Sequence, residues 1–167
     1  MNIEKLFLNI KYLDKEIDFF KKKKHIKKIN PNSDLVSSHI NKAKHNLNFY
    51  KLNKKYNEYN DWLIVTLYYA LYHIALALIT KKEFSSKNHY ATILILIKEY
   101  SITKEEAFLI NKLSIDKNDA ELYTNLKNDR HDASYLTETK FNKEIIELYE
   151  EQVIDFINKA EEIIKNE

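Results

Sequence analysis

Trp62-Leu63-Ile64-Val65-Thr66-Leu67-Tyr68-Tyr69-Ala70-Leu71-Tyr72-His73-Ile74-Ala75-Leu76-Ala77-Leu78-Ile79 is the most apolar run of the chain, and what surrounds it decides the fold. Its 18 residues are just enough to raise the question of a membrane span. Tyr68, Tyr69, Tyr72 and His73 carry polar groups into the run, however, and the segments on either side are amphipathic rather than apolar. The run therefore reads as the central helix of a soluble bundle, buried by its neighbours, with no membrane association expected.

Working outward toward the N-terminus, Leu35, Val36, His39, Ala43, Leu47, Tyr50 and Leu52 recur at helical spacing and predict a second helix. It ends in the polar stretch from Asn53 to Asn60. Asn30-Pro31-Asn32-Ser33-Asp34 breaks the chain ahead of it, with Asn32 or Ser33 as the N-cap. Before the break, Ile3, Leu6, Phe7, Ile10, Leu13, Ile17 and Phe20 predict one amphipathic helix of about five turns. It closes on Lys21-Lys22-Lys23-Lys24, where cations complement the negative end of the helix dipole or meet a nucleic acid. The break divides the chain into an N-terminal helix with a basic end, residues 1–30, and a bundle domain, residues 33–167.

On the other side, Lys81-Lys82-Glu83 reads as a turn. Ser85 or Ser86 then caps a helix through Tyr90, Ile93, Leu94, Ile97 and Tyr100. Thr103-Lys104-Glu105-Glu106 is a capping-box sequence opening a shorter helix over Ala107, Leu109, Ile110 and Leu113. Phe141, Ile145, Leu148, Tyr149, Val153, Phe156, Ile157, Ala160 and Ile164 mark a long final helix. The fold class expected is all-α: an up-and-down helical bundle with an additional N-terminal amphipathic helix.

Composition supports this and excludes several functions. The 167 residues contain no glycine and one proline, Pro31, which argues against a β-rich fold and against phosphate-cradling glycine loops. With no cysteine there is no disulfide, thiolate nucleophile or cysteine-ligated zinc, and a cytoplasmic location is expected. Met1-Asn2-Ile3-Glu4-Lys5 lacks the basic-then-apolar order of a secretion signal. The net charge is +2 but unevenly spread: residues 1–60 hold 14 lysines against 6 acidic side chains, and residues 61–167 hold 13 basic against 19 acidic. The basic first third suits a polyanion or an acidic partner.

Arg130 is the one arginine among 27 basic side chains, set in Lys127-Asn128-Asp129-Arg130-His131-Asp132-Ala133-Ser134-Tyr135. A guanidinium grips phosphate or carboxylate through two parallel hydrogen bonds, which lysine cannot do. On a regular helix His131 and Tyr135 would share one face and Arg130 and Ser134 the next. His73, beside Tyr69, Leu76 and Ala77 on the central helix, reads as a satisfied buried histidine. No histidine or carboxylate spacing suggests a metal site, and no cofactor is expected.

The central run, preceded by Trp62 and followed by Phe84-Ser85-Ser86-Lys87-Asn88-His89, resembles the "YYAMFHAARALL … KSH" pattern of small prokaryotic HEPN-domain proteins. Arg130-His131-Asp132-Ala133-Ser134-Tyr135 is similar to the "R-x-x-A-D-Y" segment of the same group. The likeness spans residues 33–165, and the N-terminal helix is similar to an extension seen in archaeal members. It implies an all-α bundle, commonly a homodimer, often encoded with a small nucleotidyltransferase in toxin–antitoxin pairs. Active ribonucleases of that family carry an R-x4-6-H motif and cut RNA without metal, the histidine as base and the arginine stabilising phosphoryl charge. Here Tyr135 stands where the histidine would be, and a phenol of pKa about 10 is a poor base at neutral pH. Leu76 stands where relatives often have arginine.

The resemblance therefore implies a protein that works by binding, to RNA or to a nucleotidyltransferase. The alternatives are a metal-independent endoribonuclease using Arg130 with His131 or Tyr135, and a purely structural helical oligomer. Nucleic-acid contacts are expected from Arg130, from Lys87 and His89, and from Lys51, Lys54 and Lys55 interleaved with Tyr50, Tyr56 and Tyr59.

Overall fold

The computed structural model describes residues 3–56, 60–115 and 142–166. Its elements in order are α1 (Ile3–Leu8), α2 (Ile10–Lys22), β1 (Ile26–Lys28), α3 (Ser33–Asn53), α4 (Asn60–Lys81), β2 (Phe84–Ser86), α5 (His89–Tyr100), α6 (104–115) and α7 (Lys143–Asn166). The all-α bundle expected from the sequence is the observed architecture, with one small two-stranded sheet among the described residues.

The apolar run forms α4, which packs along α3 and also against α7 and α5. Leu63, Ile64, Leu67, Tyr68, Ala70, Leu71, Ile74, Ala75, Ala77, Leu78 and Ile79 are all buried, which spreads burial around the helix rather than along one stripe. By length and composition α4 could cross a membrane, yet 72% of its most apolar window lies inside the protein. Its apolar surface is taken up by neighbouring helices. Tyr68, Tyr69 and Tyr72 are core aromatics as expected: Tyr68 stacks on Tyr72 at 5.6 Å between ring centroids and meets Tyr69 edge-on at 5.2 Å.

The helix caps follow the sequence closely at two places. Asn32 accepts from the Leu35 amide at 2.8 Å and opens α3. At α6 the capping box is reciprocal, the Thr103 amide donating to Glu106 Oε2 at 2.7 Å and the Glu106 amide to Thr103 Oγ1 at 3.2 Å. Two other expectations are corrected. The N-terminal helix is broken into α1 and α2 at Asn9, whose side chain accepts from the Tyr12 amide at 3.1 Å and starts a new helix. The apolar series hides the break because it continues across it, although Leu8 is 86% exposed. The cap of α5 is Asn88 rather than Ser85 or Ser86, because those serines belong to β2.

β1 and β2 pair antiparallel, with Ile26 opposite Ser86, Lys27 opposite Ser85 and Lys28 opposite Phe84. The Ile29 amide donates to the Glu83 carbonyl at 2.9 Å just beyond the ladder. Each strand is entered through a left-handed residue, Lys24 (φ 59°) before β1 and Glu83 (φ 62°) before β2, and Ser101 (φ 48°) closes α5 in the same conformation. Glycine usually takes such positions. In a chain without glycine, packing elsewhere holds other residues there.

This sheet, with α2 lying on α5, ties the N-terminal segment to the bundle. Phe20 meets Tyr90 edge-on at 5.3 Å, Tyr90 donates to Glu16 at 3.3 Å, and Lys98 pairs with Asp14 at 2.9 Å. Ile3, Leu6, Leu13, Ile17 and Ile26 are buried in the same cluster as the α4 side chains.

Candidate nucleic-acid interface

Two lysine-rich segments far apart in sequence meet at one end of the bundle. Residues 21–28 read Lys-Lys-Lys-Lys-His-Ile-Lys-Lys and residues 81–87 read Lys-Lys-Glu-Phe-Ser-Ser-Lys, nine lysines with one carboxylate, Glu83. The β1–β2 ladder brings them side by side. Within it Ile26 and Phe84 turn into the core, while Lys27 and Lys28 stay exposed. Lys21 to Lys24 and Lys87 are also exposed, and Lys81 and Lys82 half-exposed.

Some of these cations are positioned. Lys28 Nζ donates to the Lys82 carbonyl at 3.2 Å and sits 3.9 Å from the centre of the Phe84 ring. Lys82 lies over Tyr100 at 5.3 Å and Lys23 over Phe19 at 5.8 Å. The C-terminal ends of α2 and α4 both arrive here, and their lysines offset the partial negative charge of those helix ends. More cations are present than two helix ends require. A dense, exposed lysine surface with few acids attracts phosphates without base specificity.

The residues expected to contact nucleic acid do not gather in one place. Lys87 and His89 lie at the basic end, His89 opening α5 next to its cap Asn88. Lys51, Lys54, Lys55 and Tyr56 lie at the other end of α3, a helix of 21 residues and so about 30 Å long. Lys51 and Lys55 are exposed there, Lys55 lying 4.9 Å from the centre of the exposed Tyr56 ring. Lys54 is engaged, its Nζ 2.8 Å and 3.0 Å from the two oxygens of Glu150 on α7. Tyr50 is a correction: expected to be exposed, it is 1% exposed and donates its hydroxyl proton to Glu150 at 3.0 Å. Burial first, and then the Glu150 charge, push its phenol well above the ordinary range. Arg130, His131, Ser134, Tyr135 and Tyr59 lie outside the described residues.

A feature missed in the sequence sits on the α3–α4 seam. His39 and His73 face each other with Nδ1 atoms 3.1 Å apart and ring centroids 5.4 Å apart. At that distance one Nδ1 carries the hydrogen and the other accepts it. His73 is thus partnered, as its position in the central helix led us to expect, and the partner is another imidazole. Burial lowers both from the usual histidine range. For His73, burial, the neighbouring His39 and the Lys42 ammonium together bring it to about 4. Both rings are therefore uncharged at neutral pH. The pairing follows from hairpin arithmetic, since positions 39 and 73 each stand 17 residues from Tyr56, in the turn between two antiparallel helices. No group of three or more histidine, cysteine or acidic side chains converges as a metal site among the described residues.

Comparison with protein-family models matches residues 36–166 to the HEPN domain. No curated protein matches the chain.

Proposed function

From the premise that this chain belongs to the HEPN-domain family, we propose that it works by binding RNA through the lysine surface built on the β1–β2 ladder. The observation that carries the reading is the fusion of residues 21–28 and 81–87 into one cationic end. Ribose–phosphate backbone is the ligand such a surface suits, since lysines deliver charge without the planar geometry that reads a base edge. A second copy of the chain and a small nucleotidyltransferase, in a toxin–antitoxin setting, are the protein partners this reading includes.

The test is fluorescence anisotropy with a labelled single-stranded oligouridylate across a salt series. Binding is expected to weaken steeply as salt rises, because each phosphate neutralised releases counterions. Replacing Lys22, Lys27 and Lys87 together by Ala is expected to reduce the slope of log affinity against log salt by about 2, at about 0.7 per lost contact. Lys51→Ala with Lys55→Ala, at the other end of α3, is expected to leave it unchanged. If the second pair abolishes binding and the first set does not, the proposed surface is wrong. The same incubation in chelator between about pH 6 and pH 9 also reads for cleavage. Scission that disappears in Arg130→Ala would replace the binding reading with a metal-independent endoribonuclease.

A further inference from the structure

We propose that His39 and His73 form a two-imidazole chelate for a borderline transition-metal ion, nickel, copper or zinc, on the α3–α4 seam. The two Nδ1 atoms are 3.1 Å apart. An ion at the usual metal–imidazole distance of about 2.0–2.1 Å from each would subtend about 100° at the metal. That lies between the angle of about 90° in tetragonal or octahedral sites and the tetrahedral value of about 109°. The ligands are therefore already at chelating separation, on two long helices packed along most of their length.

Three further observations fit. Both imidazoles are half-buried, so part of each ring remains open to an arriving ion. Neutral imidazole is the form that binds metal, and both rings are neutral at physiological pH. As the ion enters, the hydrogen between the Nδ1 atoms moves through solvent to the free Nε2 of its own ring, so both Nδ1 lone pairs face the metal. Both rings stay neutral with no net proton released, and the inter-ring hydrogen bond is replaced by two metal–nitrogen bonds. Since no third histidine or acidic ligand converges there among the described residues, water or an external donor completes the coordination. Lys42, whose charge reaches His73, opposes a cation and favours an exchangeable site over a structural one.

The experiment is calorimetric titration of the full chain, purified without a histidine tag, with Ni²⁺ and separately with Zn²⁺ at neutral pH in two buffers of different ionisation enthalpy. One ion per chain is expected, with nearly the same enthalpy in both buffers, because two rings that are already neutral bind without net proton release. His39→Gln and His73→Gln should each weaken binding by about tenfold or more. His25→Gln and His45→Gln, at exposed positions away from the pair, should leave it unchanged. Unaltered affinity in His39→Gln, or no saturable binding by the wild type, overturns the assignment. Electron paramagnetic resonance of the Cu²⁺-loaded wild type needs no folded variant: coupling to two imidazole nitrogens supports the chelate, and coupling to one or none refutes it.

Discussion

At the scale of single residues, the positions that defy expectation are those whose conformation or ionisation is fixed from outside. Glu83 and Ser101 hold left-handed backbone that disfavours any residue with a Cβ, by roughly 1–2 kcal/mol. Neither Glu83→Gly nor Ser101→Gly removes a buried apolar group, so each is expected to raise stability by about 0.5–1 kcal/mol in urea unfolding. The histidine pair gives the opposite case, a cost that appears with acid. Folded-state values for His39 and His73 lie below the ordinary 6.5, so the unfolded chain takes up protons first as pH falls. Their contribution is intact above about pH 6.5 and is lost as pH drops toward about 4. Replacing both by Asn should flatten the pH dependence of the metal-free protein's urea midpoint across that window. An unchanged slope would mean that the pair is not held neutral by the fold.

At the scale of elements, what the sequence revealed was what local chemistry determines. Asn32 and the Thr103–Glu106 box were legible because a cap is a bond within four residues of its own helix. Thr103→Ala is expected to cost about 0.5–2 kcal/mol, read as a lower thermal midpoint. Central burial of α4 was legible from the length and uniformity of its apolar run. Less legible was anything that depends on a distant partner. Tyr50 looked like one more tyrosine among lysines, yet its ring is buried and its hydroxyl meets Glu150, which α7 supplies 100 residues later. Leu52 counted as an apolar helical position yet is 71% exposed, since periodicity marks a face without saying where its cover ends. β1 and β2 have three residues each, too short for an alternating pattern to register, and no glycine announces their turns. The candidate interface shares this limit. Each lysine run was visible, but their adjacency rests on a ladder that no local residue pattern announces.

At the scale of the whole molecule, uneven charge along the chain becomes uneven charge in space. The lysines of residues 21–28 gain company from the end of α4, whereas α7 brings Glu161 to pair with Lys44 on α3 and Glu150 to pair with Lys54, which caps that helix. Both carboxylates are partly buried, and the pairs cancel charge locally and leave the opposite end as the more cationic surface. The domain family accounts for residues 36–166, and the segment before them supplies β1 and most of the basic end. In the binding reading, that segment is an added part that turns a helical bundle toward polyanions.

The β1–β2 ladder also imposes an order of events during synthesis. Residues 26–28 wait for partners at residues 84–86, and α2 waits for α5. At about 5–20 residues per second the ribosome needs several seconds to cover that interval. Throughout it the buried faces of α1 and α2, with Ile3, Leu6, Leu13 and Ile17, have emerged without the surface that will cover them. The first helices made are thus among the last to find their place, and a nascent chain carries its lysine run uncovered beside a ribosome rich in RNA.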